Sequence, residues 1–197
     1  MSRGRVVLAW GLVAALGAAL GVGSALWILV GRGPTGGTRV GVWSIDLDVG
    51  GDQGGRYVRA VTATQGLLAM AQREAVYFVA DADGEGRALD ADCAYEIAGA
   101  DFPAYWWSIT AYDGSYLADN TDDRASVDAT SVVRSDDGSW RARLARRDDS
   151  AANWISLDAS ASPNLLLRLY VPERSVLDDP ASVPVPTIRR LSCEGDT

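Results

Sequence analysis

The sequence contains no histidine, and all 18 of its basic residues are arginines, so lysine is missing as well. Those two absences remove whole classes of chemistry. A histidine general base, a histidine-ligated metal, a lysine Schiff base and pyridoxal phosphate have no residue to carry them. What remains is carboxylates, hydroxyls, arginine and two cysteines, so no metal and no cofactor is expected and catalytic residues stay unassigned. Cys93 and Cys193 permit one disulfide in an oxidising compartment. Closing a loop of that length is worth up to about 4.7 kcal/mol of chain entropy. The plainer alternative is two small buried apolar side chains.

Charge is missing from one long run. Residues 6–30, VVLAWGLVAALGAALGVGSALWILV, hold no charged residue, whereas about 20 apolar residues suffice for a helix to cross a bilayer. The apolar centre of a cleavable signal peptide is shorter, about 7 to 15 residues, so the run reads as an uncleaved transmembrane anchor. Arg3 and Arg5 lie on one side of it, Arg32 and Arg39 on the other. The positive-inside bias puts a short tail, residues 1–5, in the cytoplasm and the rest outside it. The Ala, Gly and Arg content suggests a bacterial chain, hence a single-pass inner-membrane protein with a periplasmic domain. Residues 31–39, GRGPTGGTR, form a Gly/Pro linker that reaches at most about 30 Å. Gly17, Gly21 and Ala25 recur every four residues, the spacing that lets transmembrane helices approach and form a homodimer, although small residues are common in such helices.

From residue 33 onward, 15 arginines face 26 acids, a net charge of −11. Such a domain is repelled by phosphate backbones and anionic lipid heads, which argues against nucleic acid as a partner. Residues 40–197 read as one mainly β domain carrying one amphipathic helix. Alternation marks VWSIDLDV (42–49), AVYFVA (75–80), CAYEI (93–97), WWSITAYD (106–113), WRARLA (140–145), NWISL (153–157) and LLLRLYV (165–171) as strands. Residues 56–71 instead carry apolar residues at helical spacing. Pro172, Pro180, Pro184 and Pro186 argue for an extended C-terminal segment over the surface.

Several constellations have a functional and a plain reading. In DADGEGRALDAD (81–92), Asp81, Asp83, Glu85, Gly86 and Asp92 fall at calcium-loop spacings. Its flanks read as strands rather than helices, so a polar hairpin connection is expected. Aspartate pairs at 122 and 123, 136 and 137, 148 and 149, and 178 and 179 are either solvated turns or the paired carboxylates of a glycosidase. Arg168 interrupts an apolar strand and needs a carboxylate or several carbonyl partners, unless it contacts a ligand in a cleft. In strand register Trp107, Ile109 and Ala111 form a core face, and Trp106, Ser108, Thr110 and Tyr112 an amphipathic one. Rings beside hydroxyls suit a sugar-binding surface. The same set would equally pack beneath a helix or a second sheet.

The run W-S-I-T-A-Y-D at 107–113, Asn120, Arg124 with Ser126, N-W at 153 and 154, and R-L-Y-V-P at 168–172, together with R-E-A-V-Y-F at 73–78 and D-A-D-G at 81–84, resemble the bacterial domain of unknown function 1214. The resemblance covers roughly residues 42–190. It implies a jelly-roll-like antiparallel β-sandwich and carries no catalytic residue across. One departure is Ser156, where members of that family tend to have proline two residues after N-W. Their companion domain, number 1254, is not seen here; the anchor stands in its place.

The ligand-binding candidates are therefore Trp106, Ser108, Thr110, Tyr112, Arg168 and Tyr170, with Asn153 and Trp154 from the N-W pair. The leading expectation is a membrane-anchored periplasmic β-sandwich that binds an envelope glycan or a protein partner. Its competitor is a carboxylate-dependent enzyme acting on envelope glycans.

Overall fold

The structure, a computed structural model, describes residues 3–31, 37–49, 70–114, 116–117, 122–147, 151–158 and 160–193, with 51, 55, 58 and 60. It opens with a helix, α1 (Arg3–Gly31), whose Arg3–Trp27 stretch has a mean hydropathy of 2.1 and no share buried in the rest of the chain. At 1.5 Å per residue α1 is about 43 Å long, so it is long and apolar enough to cross a membrane. The amphipathic helix expected at 56–71 lies almost wholly outside the described residues.

Among the described residues after α1 the elements are mainly strands: β1 (Thr38–Val40), β2 (Trp43–Ile45), β3 (Ala75–Ala80), β4 (Cys93–Gly99), β5 (Ala104–Asp113), β6 (Tyr116–Leu117), β7 (Ser126–Asp128), β8 (Trp140–Ala145), β9 (Trp154–Ser156), β10 (Pro163–Pro172) and β11 (Thr187–Cys193). They form two sheets. The larger runs β1-β2-β3-β10-β5-β6, with β7 also paired to β5; the smaller runs β11-β4-β8-β9. All pairings are antiparallel except β8 with β9. Successive long strands alternate between the sheets, β3 in the large one, β4 in the small, β5 in the large, β8 in the small, β10 in the large and β11 in the small. That crossing pattern makes the domain a mainly β, jelly-roll-like sandwich.

The core lies between the sheets, where alternation aims one side chain in two inward. Trp107 of β5 stacks on Trp140 of β8 with centroids 5.1 Å apart, and Phe102 meets Trp107 edge-on at 5.1 Å. Each buried indole finds an acceptor, as burial of its N–H demands: Trp43 donates to the Pro186 carbonyl (2.8 Å), Trp107 to Asp101 (3.1 Å) and Trp140 to the Ala100 carbonyl (3.0 Å). Gly99 lets Trp140 in, since a Cβ there would stand 3.0 Å from its ring and 3.1 Å from Pro186.

The C-terminal region departs from a wholly extended segment over the surface. Between Pro172 and Pro180 there is room for a short helix, α2 (Arg174–Asp178), then a 3-10 turn at Pro180–Ser182. Past Pro186 the chain has free N–H groups again, and β11 pairs with β4 across the register Thr187↔Ala98 to Cys193↔Cys93. The strand expected over 42–49 is likewise cut to Trp43–Ile45, because Asp46 accepts from the Asp48 amide and turns the chain.

Candidate functional site

The outer face of the large sheet is set by the β3-β10-β5 register. Arg168 of β10 stands between Tyr77 of β3 and Ser108 of β5, Tyr170 opposite Trp106, Leu166 opposite Thr110, and Asn164 opposite Tyr112. Six of the eight sequence candidates, Trp106, Ser108, Thr110, Tyr112, Arg168 and Tyr170, therefore share one surface. Ser108 and Thr110 are 6% and 7% exposed, while Trp106, Tyr112, Arg168 and Tyr170 are partly buried.

One end of the face is aromatic. Trp106 and Tyr170 lie 5.3 Å apart, tilted by 56°, and the Trp106 N–H donates to the Thr130 hydroxyl at 3.0 Å. Thr130 belongs to a turn closed by Asp128, whose carboxylate accepts from the Thr130 amide (2.7 Å), the Ser131 amide (3.0 Å) and the Ser131 hydroxyl (2.9 Å). Burial works to raise the Asp128 pKa, but those hydrogen bonds outweigh it and hold the carboxyl below its ordinary range. Asp128 is thus an ionised turn-former that fixes the indole through Thr130.

The other end is cationic. The Arg168 guanidinium donates to the Thr110 hydroxyl at 3.0 Å and to the Tyr112 hydroxyl, and its Cζ lies 5.4 Å from the Tyr112 ring centre. Among the described residues it has no carboxylate partner, contrary to the ion pair that a charge inside an apolar strand leads one to expect. The register explains this, because Tyr77 and Ser108 flank it on both neighbouring strands. Other partly buried arginines do reach acids: Arg134 to Asp101 at 2.7 Å, Arg146 to Asp92 at 3.1 Å and Arg190 to Asp83 at 3.2 Å.

Asn153 and Trp154 lie on the opposite sheet and hold structure there. The Asn153 amide donates to the Val133 and Arg141 carbonyls, both at 2.8 Å, and accepts from the Val133 amide at 2.7 Å. Trp154 donates to the Ala145 carbonyl at 3.1 Å. Ser156, fully buried, donates its hydroxyl to Asp122 at 2.8 Å and ties β9 to the loop before β7. Proline at that position would lack both this hydroxyl and the amide that donates to the Arg124 carbonyl at 2.7 Å.

The 81–92 segment is a hairpin connection organised by one buried carboxylate. Asp83 accepts from the Glu85 and Arg87 amides (3.0 and 3.1 Å) and pairs with Arg87 (2.9 Å) and Arg190. Burial alone would raise its pKa, yet the Arg87 and Glu85 bonds bring it below the ordinary value. Gly86, at φ +78°, supplies the left-handed turn that returns the chain. Among the described residues no group of three acids or thiols is placed to hold a metal. Of the described aspartate pairs, Asp137 accepts from the Ser139 amide in a turn, Asp178 ends α2 and meets Arg174 at 3.7 Å, and Asp179 caps the Pro180 turn. Asp148, Asp149 and Asn120 lie outside the described residues. Cys93 and Cys193 are joined in a disulfide that pins the end of β11 to the start of β4.

Shallow concavities open on the small sheet. One, of about 470 Å³, is lined by Glu96, Arg141, Arg189 and the Asp83 hairpin. Its charges are already consumed, since Glu96 pairs with Arg141 and Arg189 at 3.0 Å each, which holds its carboxyl below the ordinary range, Arg189 chiefly. Tyr77, Asp128 and Thr130 were not among the sequence candidates. Alternation in AVYFVA already puts Tyr77 on the face opposite Val76 and Phe78, but only the register sets it beside Arg168.

A two-sheet antiparallel sandwich with an aromatic and arginine-bearing outer face is the class these features define. The family model described as "Protein of unknown function (DUF1214)" matches residues 74–174, half of the chain, and the chain belongs to that family. Among solved structures, the VPA0106 protein from Vibrio parahaemolyticus is similar at 20% identity and a TM-score of 0.57, over 71% of this chain and 36% of that one. That likeness is one of fold, and the chain spans about a third of that protein's length. An uncharacterized protein from Burkholderia cenocepacia gives a TM-score of 0.42 at 19% identity, over 63% of this chain and 31% of that one. No curated protein matches the chain.

Proposed function

We propose that this protein is a membrane-tethered binding module of the bacterial envelope, with α1 as an uncleaved anchor, residues 1–5 cytoplasmic, 31–39 a linker and residues 40–197 a periplasmic domain that holds its ligand on the outer face of the large sheet. The Cys93–Cys193 disulfide supports the oxidising side of the membrane. The observation that carries the ligand face is Arg168, a partly buried cation whose protein partners are neutral hydroxyls, in line with the Trp106–Tyr170 ring pair. A fold that needed only a covered sheet face would gain by an apolar residue there, since desolvating a cation without a counter-charge costs free energy. Binding is favoured over glycan hydrolysis because Asp128, the carboxylate in the Arg168–Ser108 row, is consumed by its own turn. The test is a screen of envelope glycans and cell-wall fragments against the full chain in detergent micelles, read by intrinsic fluorescence. A ligand whose signal and affinity are lost in Trp106→Phe and Tyr170→Ala supports the face. A ligand that both variants bind like wild type removes it.

A further inference from the structure

The binding reading leaves the chemistry of the ligand open, and the face itself narrows it. We infer that the outer face of the large sheet takes an oligosaccharide of mainly neutral sugars bearing one isolated carboxylate, with a sugar ring on the Trp106–Tyr170 pair and the carboxylate on Arg168; this rests on the proposed binding role.

The charge of the ligand follows from what Arg168 lacks. Thr110 and Tyr112 each take a donor from its terminal nitrogens, and among the described residues Nε has no partner. Neutral acceptors leave the charge uncompensated, and a carboxylate is the planar anion that the guanidinium fork fits. Asp128 stands two strands away beyond Ser108, about 10 Å at ordinary strand spacing, and it is committed to Thr130 and Ser131.

The number of charges follows from the domain around it. With a net charge of −11 from residue 33 onward, the domain repels a polyanion or an anionic lipid surface, and only a sparsely charged ligand approaches without that penalty. Asp128 adds to the repulsion locally. Length follows from the register. The guanidinium leans to Thr110 and Tyr112, four and six residues along β5 from Trp106, so the ring pair and the cation are separated by roughly 13 Å or more of strand. A monosaccharide cannot touch both, whereas two or three linked rings can. The hydroxyls between them are already engaged or buried: Thr110 accepts from Arg168, Tyr77 accepts from the Met70 amide at 3.4 Å, and Ser108 is 6% exposed.

The experiment is calorimetric titration of the full chain in neutral detergent with three probes: a xylo-oligosaccharide bearing one glucuronate, the same oligosaccharide without it, and a tetramer of galacturonate. Vesicles containing phosphatidylglycerol form a fourth arm, against chain reconstituted in nanodiscs. The mono-acidic probe is expected to bind at least tenfold tighter than its neutral parent and tighter than the tetra-acid. Arg168→Gln should erase that preference, Arg168→Lys should restore part of it, and Trp106→Ala should weaken both probes. A far-UV circular dichroism spectrum and a urea midpoint close to those of wild type establish that each variant is folded. Equal affinity for the charged and neutral probes at the Trp106 face overturns the acidic-sugar inference and leaves the binding role standing. Preference for the tetra-acid or for the vesicles, or a preference that survives Arg168→Gln, also overturns it. Failure of all four probes overturns the sugar assignment, while the binding role is still decided by the envelope screen.

Discussion

Removing the disulfide should cost this domain a large part of its stability, and the cost can be worked from the topology. Cys93 opens β4 and Cys193 closes β11; they are paired in the register and separated by 100 residues. A cross-link closing a loop of that length withdraws about 4.7 kcal/mol of conformational freedom from the unfolded chain, against a typical total of about 5 to 15 kcal/mol. For a domain of this size that corresponds to a melting temperature lower by roughly 10 to 19 °C. The perturbation is the double substitution Cys93→Ala with Cys193→Ser, which keeps an apolar group in the core at 93 and a small polar one at the partly buried 193. Loss should begin locally. β11 pairs with β4 alone and its register slips between Arg190 and Ser192, so amides 191–193 should exchange first. The assay is thermal and urea unfolding of the full chain in micelles, followed by near-UV circular dichroism, with and without reductant. Reductant should bring wild type down to the double variant and leave the variant unchanged. Midpoints of oxidised wild type and double variant agreeing to within about 0.5 kcal/mol would refute the reasoning.

Other expectations follow from the same structure. Asp83, Glu96, Asp101 and Asp128 all have folded-state pKa values below the ordinary ones. Each therefore contributes stability that is present above the unfolded value near pH 4 and lost as pH falls through the folded value. With no histidine in the chain, urea midpoints should be flat from about pH 5 to 8 and drop below about pH 4; a step near pH 6.5 contradicts this. Asp83→Asn leaves Arg190 without its acid and should destabilise by about 3 kcal/mol, an unchanged urea midpoint being the contrary result. Trp140→Ala removes the partner of Trp107 and Phe102 and should cost about 3 to 5 kcal/mol by the same measurement. A reporter enzyme active only in the periplasm, fused after Thr197, should be active, and activity of a cytoplasm-only reporter there would reverse the proposed orientation.

The sequence by itself determined the apolar helix, the mainly β class and which side of each long strand is core, because these depend on periods of 3.6 and 2 that any reader of the chain can count. AVYFVA and WRARLA became β3 and β8 residue for residue, and the two faces of WWSITAYD were separable by alternation alone. Tertiary structure alone decided who stands beside whom. Arg168 looked like half of an ion pair because sequence shows that a charge is present in an apolar strand, not which residues flank it; the β3-β10-β5 register supplied Tyr77 and Ser108 and no acid. Asn153 and Trp154 were grouped with the binding face by motif, yet β9 belongs to the other sheet, where their polar atoms close backbone gaps. The proline-rich C-terminus read as an extended surface segment because prolines break helices, and its Thr187–Cys193 stretch is extended, but which strand that stretch joins is selected only by the unpaired edge of β4. Local pattern fixes the direction of a side chain, and long-range pairing, which contributes free energy only once distant strands meet, fixes its neighbours.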